Sequence, residues 1–355
     1  MSTTEPAAGP GNSIRWLLLW LLLAVTGVAL WLLQIEGSDP GRAWRALLSN
    51  FLFFSSLSGG LVVWPAVVNS CNGKWHLGVE RLAAAGIAFA LPSLLALATL
   101  WAGSDRWAPW HAARFHQGIW LANSFVFGRD LAALLIFWGL ALFHLKKRRK
   151  GEGRRTGTLL VLVYCLTFSL LGFDLVMALD PLFHSNLAGG YFFISGLYIA
   201  MTCWALLASW HRAAPDELHD LGKLMVGFSL MTTYLMYANL LPFWYENLPR
   251  EVRFLVPRMH NRDWSPVSYL LLCLAYFGPL VLLLPEGFKR NRVTLGLISF
   301  LVLIGMWLER WWLVAPTFAP LARLGVSELS LAAGFTGVLG LGMAWSLRPK
   351  GADHG

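Results

Sequence analysis

The sequence predicts an all-α integral membrane protein with about ten transmembrane helices. Hydrophobic residues make up 57% of the 355 residues, above the roughly 45–50% of soluble domains. Charged residues make up 13%, about half the share that covers a soluble protein. This composition excludes a soluble enzyme, a disordered chain and a nucleic-acid-binding domain. The 19 tryptophans fit many helix ends at a membrane interface.

Ten stretches are long and apolar enough to cross a bilayer, which needs about 20 such residues. They are 14–34, 46–68, 81–101, 119–145, 158–179, 190–210, 221–241, 266–285, 293–313 and 328–347. No soluble domain interrupts them, so we expect a single transmembrane domain over 14–347. The polar segment 1–13 is expected to be a disordered tail, and 348–355 a second tail.

Lysine and arginine are divided unevenly between the two membrane faces that these spans define. With ten spans both termini lie on one face, where 17 of the 28 basic residues fall, against 9 on the opposite face. The run 146–155 alone contributes seven of the 17. By the positive-inside rule, both termini and both tails are expected in the cytoplasm.

A weak internal repeat is visible in the second and sixth spans, which each carry a Gly-Gly pair, Gly59–Gly60 and Gly189–Gly190. Each of these spans begins a run of four. The pattern favours two parallel repeats over 46–179 and 190–313, because parallel repeats recur in membrane proteins.

Cysteine and histidine spacing gives no sign of a bound metal or a covalent haem. The four cysteines lie far apart without a C-x-x-C pair, and all nine histidines fall at span ends, in loops or in the tail. Transmembrane haem needs axial ligands held within the bilayer. We therefore expect no metal and no covalently bound cofactor, while a quinone or quinol remains a possible ligand.

Ionisable side chains inside a membrane cost several kcal/mol unless they are paired or hydrated, so each is a functional candidate. In the assigned topology they all fall in the outer half of the membrane or at its outer mouth; they are Arg129, Asp130, Asp174, Asp180, His184, Glu309 and Arg310. A one-sided cluster favours a reaction or docking event at the outer face. The alternatives are structural ion pairs that fix the bundle, participation in a proton path or a quinone head-group site, and simple exposure at the membrane interface.

Helix geometry predicts which of these ionisable side chains can pair. Neighbours in sequence do not face each other on a helix, so Arg129 and Asp130 are expected to have separate partners, as are Glu309 and Arg310. We expect Arg129 or Arg310 to pair with Asp174 across helices.

The outer connection 242–265 is rich in aromatic and basic residues. Its candidates for docking an extracytoplasmic partner are Trp244, Tyr245, Arg250, Arg253, Arg258 and Arg262. Such arginines can pair with acidic groups of a partner. An amphipathic segment lying at the membrane interface explains the same composition.

Three segments resemble one known family. They are FSLLGFDLVMALDPLFHSNLAGGYFFISG (168–196), MYANLLPFWYENLPREVRFLVPR (236–258) and LERWWLVAP (308–316). Together with the span count and order, they resemble the polysulfide-reductase-like (NrfD-like) membrane subunits of alternative complex III, a quinol:cytochrome c oxidoreductase, and most closely its second, shorter subunit. Where the family often has His-Trp after its Asp-Pro, this chain has Leu182, Phe183 and His184.

The resemblance implies two four-helix bundles with two flanking helices, in a bacterial inner membrane. It implies partner subunits: a homologous NrfD-like membrane subunit, an extracytoplasmic iron–sulfur subunit, and multihaem or monohaem cytochrome c subunits. It also implies support of quinol oxidation or proton translocation, with Asp174 and Asp180 at the positions of the family's two aspartates. A secondary transporter and a purely structural membrane anchor are the alternatives that the residues leave open.

Overall fold

The computed structural model is helical throughout the secondary structure it describes, which covers residues 10–37, 39–71, 73, 85–112, 115–148, 153–211, 213–246 and 249–346. Within these residues, ten helices are long and apolar enough to cross a membrane. The predicted all-α multi-pass membrane fold is therefore confirmed.

The ten spanning helices are numbered here in chain order. They are α1 Pro10–Ile35, α2 Pro40–Ser70, α3 Ala90–Ala102, α4 Asn123–Arg148, α5 Arg154–Leu175, α6 Ala188–Trp210, α7 Pro215–Glu246, α8 Ser265–Leu282, α9 Arg292–Val314 and α10 Val326–Ser346. An eleven-residue surface helix, Pro249–Met259, precedes α8, and a short helix, Glu286–Arg290, precedes α9.

Helices α1, α2, α5 and α7 begin four or six residues earlier than predicted. Helix α1 starts at Pro10, so the last part of the predicted tail 1–13 is helical; residues 1–9 and the predicted tail 348–355 lie outside the described residues. Helix α2 starts at Pro40 because Asp39 caps it, accepting a hydrogen bond from the backbone N–H of Arg42. An aspartate N-cap followed by proline is a strong helix start that hydropathy alone does not reveal.

Helices α2 and α6 cross in the interior of the protein. A Cβ added at Gly60 would lie 2.5 Å from the Cβ of Ala200, and one at Gly196 would lie 3.3 Å from the Cβ of Ser56. Small residues spaced four apart on both helices thus let the two backbones approach closely, as in small-xxx-small packing. The first helix of each predicted repeat, α2 and α6, is also the most buried of its group of four.

Helices α1 and α10 form a flanking pair outside the two groups of four. A Cβ at Gly27 would lie 2.5 Å from the Cα of Gly334, so glycines bring the two helices into backbone contact. The pair packs on α2, where the rings of Phe54 and Phe335 meet edge to face with centroids 5.5 Å apart. The spanning helices thus form two groups of four, α2–α5 and α6–α9, with α1 and α10 as two flanking helices.

The connections gather at two ends. One end, called the loop end here, holds residues 103–112, 115–122, 176–187, 249–264 and 315–325. Hydrogen bonds join these segments, such as Gln117 Nε2 to the Pro181 carbonyl at 2.8 Å and Asn261 Nδ2 to the Pro320 carbonyl at 2.9 Å. The opposite end, called the basic end, carries the lysine and arginine residues that terminate α4.

Candidate functional site

The first buried site lies between α4 and α5 and is called the carboxyl-pair site; its residues are Arg129, Asp130 and Asp174. Arg129 donates to Asp174 through Nε at 2.7 Å and through Nη2 at 2.5 Å. This bidentate geometry is the strongest form of an arginine–carboxylate pair. The prediction that Arg129 or Arg310 pairs with Asp174 is therefore confirmed, with Arg129 as the partner.

Asp130 places a second carboxyl group against the same pair. Its side chain is fully buried and lies within hydrogen-bonding range of Asp174. Neither of its oxygens receives a hydrogen bond from an N–H or O–H donor of the described residues. The carboxylates of Asp130 and Asp174 are both hydrogen-bond acceptors when ionised. A hydrogen bond between them therefore requires a proton on one of the two. Arg129 and Asp130 were expected to have separate partners, but both face Asp174, so this expectation is wrong.

Trp120 covers the carboxyl-pair site from the loop end. The guanidinium carbon of Arg129 lies 3.8 Å from the centre of the Trp120 ring and 5.1 Å from that of Phe125. Trp120 belongs to a single 3-10 turn, 118–121, which begins at Gly118 with a φ of 59°. Glycine adopts this left-handed conformation at little cost, which lets the turn fold the indole back over the arginine.

The second buried site lies among α6, α8 and α9 and is called the tyrosine–glutamate site; its residues are Tyr191, Ser195, Tyr276, Glu309 and Arg310. Arg310 donates to Glu309 Oε2 at 2.8 Å and to Ser195 Oγ at 2.8 Å. Tyr191 donates to Glu309 Oε1, and its hydroxyl lies 2.5 Å from that of Tyr276. The ion pair is completely buried.

Direct pairing of Glu309 with Arg310 contradicts the expectation that these neighbours need separate partners. The expectation follows from Cβ directions, which diverge for adjacent residues of a helix. The arginine side chain is long enough to turn back to the adjacent carboxylate. Burial favours this contact, because an unpaired charge within the membrane is costly.

A π-helical segment in α8 positions Tyr276. Residues Leu272–Phe277 form this wider turn inside an otherwise continuous helix. Two backbone carbonyls of the segment accept hydrogen bonds from hydroxyls of neighbouring helices. Tyr198 donates to the Ala275 carbonyl at 3.2 Å, and Ser229 donates to the Tyr276 carbonyl at 2.8 Å. π-Turns are rare and frequently occur at functional sites.

The two sites occupy matching places in the two groups of helices. In each group the third and fourth helices contribute to the site, and in α6–α9 the first helix adds Tyr191 and Ser195. Asp174 on α5 and Glu309 on α9 are both bonded to an arginine near the loop end. Phe192 lies between the two sites: it packs on Gly172 of α5, and the Arg310 guanidinium carbon lies 4.3 Å from its ring centre.

Asp180 and His184, the remaining acid and histidine candidates, lie in the loop that follows α5. Asp180 is nearly buried and forms a 3.1 Å ion pair with Arg253 of the surface helix. The His184 ring faces that of His116, with centroids 5.8 Å apart, and both side chains are exposed. The structure therefore separates these two residues from the buried sites and places them at the loop end.

Arg258, one of the docking candidates, proves to be an internal residue. Its guanidinium donates to the carbonyls of Phe254 at 2.7 Å, Trp312 at 3.2 Å and Leu313 at 2.7 Å. It thus ties the surface helix to the last turn of α9. Burial lowers the pKa of Arg258 to about 9, and the charge of Asp180 counteracts this. A buried arginine cannot dock a partner, so the prediction is wrong for Arg258.

The other docking candidates divide into two groups. Tyr245, Arg253 and Arg262 have exposed side chains at the loop end. The side chains of Trp244 and Arg250 lie outside the described part of the structure.

Sequence reasoning missed Trp120, Tyr191, Ser195 and Tyr276. Neutral tyrosine, serine and tryptophan side chains are ordinary in apolar spans, so nothing marks them before the helices are packed. In the described residues, no group of three or more His, Cys, Asp or Glu is arranged to hold a metal ion.

Comparison with protein-family models and with curated protein sequences finds no match to this chain. Family membership and function are therefore proposals.

Proposed function

We propose that this chain is a proton-translocating membrane subunit of a quinol:electron-acceptor oxidoreductase of the NrfD-like type, with a cytochrome c-type acceptor. The loop end faces the extracytoplasmic side of a bacterial inner membrane, and both termini lie in the cytoplasm. The observation that carries this proposal is the contact of Asp130 with Asp174 beside a single arginine.

Charge balance at the carboxyl-pair site favours proton binding. Arg129 neutralises one carboxylate, and Asp130 remains as a second buried carboxyl group next to it. Two ionised carboxylates in contact repel each other strongly, and a buried charge without a partner is costly. A proton bound between Asp130 and Asp174 removes both penalties, so this site can load and release one proton.

The depth of the site favours exchange with the loop end. Asp130 is seven residues after the start of α4, or roughly 10 Å at 1.5 Å per residue. Asp174 is one residue before the end of α5. A proton released there is therefore close to the extracytoplasmic face, where quinol oxidation in the complex also releases its protons.

The tyrosine–glutamate site has a different charge balance. It holds one acid and one base, which are hydrogen-bonded to each other and to the hydroxyls of Tyr191 and Ser195. It therefore carries no net charge and needs no proton for balance. We assign it an electrostatic and structural role beside the proton-binding pair.

Electrons from quinol pass to the partner subunits. The iron–sulfur and cytochrome c subunits that the family resemblance implies would dock at the loop end, where Tyr245, Arg253 and Arg262 are exposed. The homologous membrane subunit packs against this chain within the bilayer.

Proton yield per electron in the complex tests the proposal. The complex is reconstituted in vesicles, supplied with quinol and oxidised cytochrome c, and external acidification is recorded. Asp174→Asn and Asp130→Asn are expected to lower the proton yield at least twofold. Asp105→Asn is the matched control, because Asp105 is an exposed loop-end aspartate paired with Arg106.

Two results contradict the proposal. Unchanged quinol turnover and unchanged proton yield in both variants leave only the role of a structural anchor. Purification of the full-length chain from its native membrane without any haem-containing partner excludes the redox complex.

A further inference from the structure

Two histidine side chains face each other at the loop end, from segments that are far apart in the sequence. The ring centres of His116 and His184 are 5.8 Å apart, and both side chains are exposed. The rings are inclined by 44°, which is neither the offset-stacked nor the edge-to-face arrangement that attraction between aromatic rings favours. Neither buried site uses this pair of histidines.

The ring of His184 is oriented as the ring of a metal ligand. Its Nδ1 lies 3.0 Å from the carbonyl oxygen of Leu182, and a carbonyl can only accept, so Nδ1 carries the proton of this hydrogen bond. In the neutral ring Nε2 is then an unprotonated acceptor. Ligating histidines in metal sites are commonly held in this way, by a hydrogen bond from the second ring nitrogen to a carbonyl or a carboxylate.

His116 supplies a second imidazole to the same place. Among the residues that the structure describes, none forms a hydrogen bond with its ring. Both of its ring nitrogens are therefore available to an outside ligand, and the ring of His184 is the group that it faces.

The spacing of the two rings fits one bridging metal ion. Zinc–imidazole bonds are about 2.0–2.1 Å long, so two imidazoles on one tetrahedral ion have ring centres roughly 5 Å apart. Small rotations of the two exposed side chains close the observed 5.8 Å to this distance. Imidazole nitrogen suits zinc, copper and nickel ions. With two protein ligands, the other positions on the ion are left to water, as in an exchangeable site.

Such an ion would join two segments that close over the carboxyl-pair site. His116 is four residues before Trp120, which covers that site, and His184 belongs to the loop that follows α5. A 2.8 Å hydrogen bond from Gln117 to the Pro181 carbonyl already links the same two segments. A bridging ion adds a second link beside it, which would hold the turn that carries the indole in place.

We propose that His116 and His184 bind a divalent ion of the zinc class, and that the bound ion fastens the Trp120 turn over the carboxyl-pair site. The ligands come from two separate loops, so histidine spacing in the sequence, which indicated no metal, could not reveal them. The metal site stands on its own geometry. Only its effect on proton exchange rests on the proposed function.

Hydrogen–deuterium exchange tests the site with zinc chloride alone as the probe. The full-length chain in lipid nanodiscs, purified on a tag without histidines, is titrated with zinc, and exchange of peptides spanning 115–122 and 181–187 is followed by mass spectrometry. The amide of Trp120, which donates to the Gln117 carbonyl, reports on the turn. With zinc at about ten times its dissociation constant, linkage predicts roughly tenfold slower exchange in these peptides.

Three variants assign the ion to the histidine pair. His116→Ala and His184→Ala each leave one imidazole. Each is expected to weaken zinc binding roughly tenfold or more, because the second ligand of a pair binds intramolecularly. His260→Ala is the matched control, since His260 is an exposed loop-end histidine outside the pair. Each variant is compared with its own zinc-free exchange, so a change in local stability does not imitate the loss of the ion.

Copper gives an independent count of the ligands. Cu²⁺ binds sites of this type more tightly than Zn²⁺, and its electron paramagnetic resonance spectrum reports the coordinated nitrogens. We expect two imidazole nitrogens in the wild type and in His260→Ala, one in His116→Ala and His184→Ala, and displacement of the copper by excess zinc.

Three results overturn the metal site. They are unchanged exchange of both peptides with zinc, slowing that persists in both single variants, and a wild-type copper spectrum with one nitrogen. Infrared spectroscopy then tests the fastening role: zinc should slow deuteration of the carboxyl groups of Asp130 and Asp174 in the wild type and not in His184→Ala. Zinc binding that leaves this deuteration unchanged contradicts the fastening role. A normal proton yield in Asp174→Asn contradicts the proposed function and changes none of these zinc and copper results.

Discussion

The guanidinium carbon of Arg129 lies over the ring of Trp120, 3.8 Å from the ring centre. Arg129 in turn holds Asp174 through two hydrogen bonds. The indole therefore acts on the carboxyl pair through the arginine, and it lies between that pair and the loop end. About half of its surface is exposed, so it is the outermost layer of the site.

Trp120→Leu is expected to speed proton exchange at the carboxyl-pair site about fivefold, because a cation–π contact contributes about 1 kcal/mol and its loss makes opening of the site easier. Infrared difference spectroscopy follows hydrogen–deuterium exchange of the carboxyl band that disappears in Asp130→Asn. Trp120→Phe should keep most of the contact and exchange more slowly than Trp120→Leu. Ile119→Ala, on the same turn and exposed, is the control; an equal rate in Trp120→Leu and wild type contradicts the covering role.

Charged residues in apolar spans were the part of the site that the sequence could indicate. Arg129 and Asp174 are conspicuous in such spans, and the cost of unpaired charge predicts that they meet. Trp120 and Tyr276 are not conspicuous, because their positions depend on a glycine turn and on a π-segment that leave no mark on hydropathy. All ten spanning helices were predicted, because bilayer thickness sets the length of an apolar span. Their first residues were not, because cap residues such as Asp39 determine where a helix starts.

Arg310→Met is expected to lower the free energy of unfolding by about 3–5 kcal/mol, since it leaves Glu309 as a buried charge without its partner. The double variant Glu309→Gln with Arg310→Met should be more stable than Arg310→Met alone, because no uncompensated charge remains. Thermal unfolding of the purified protein in detergent micelles measures both. A double variant that is no more stable than Arg310→Met would show that the pair contributes packing rather than charge balance.

Arg258→Met is expected to destabilise the protein by about 2–5 kcal/mol, because charge-assisted hydrogen bonds to the last turn of α9 are lost and buried carbonyls remain without donors. Arg253→Met on the same surface helix is the matched control. Arg253 is 59% exposed and forms a single ion pair with Asp180, so its loss should cost less than about 1 kcal/mol. Unfolding by denaturant, followed by tryptophan fluorescence, compares the two. Equal effects would contradict the internal role of Arg258.

Gly60→Ala tests the close crossing of α2 and α6. The added Cβ would lie 2.5 Å from that of Ala200 and 3.0 Å from the Gly196 carbonyl oxygen, so the helices must separate. Overpacking of this kind costs about 1–3 kcal/mol, and we expect a lower unfolding temperature. Gly227→Ala on α7 is the matched control: its added Cβ meets no atom within 4 Å, and alanine is the better helix former by about 1 kcal/mol. Opposite signs for the two substitutions are the expected result. A neutral or stabilising Gly60→Ala would mean that α2 and α6 do not approach each other through their small residues.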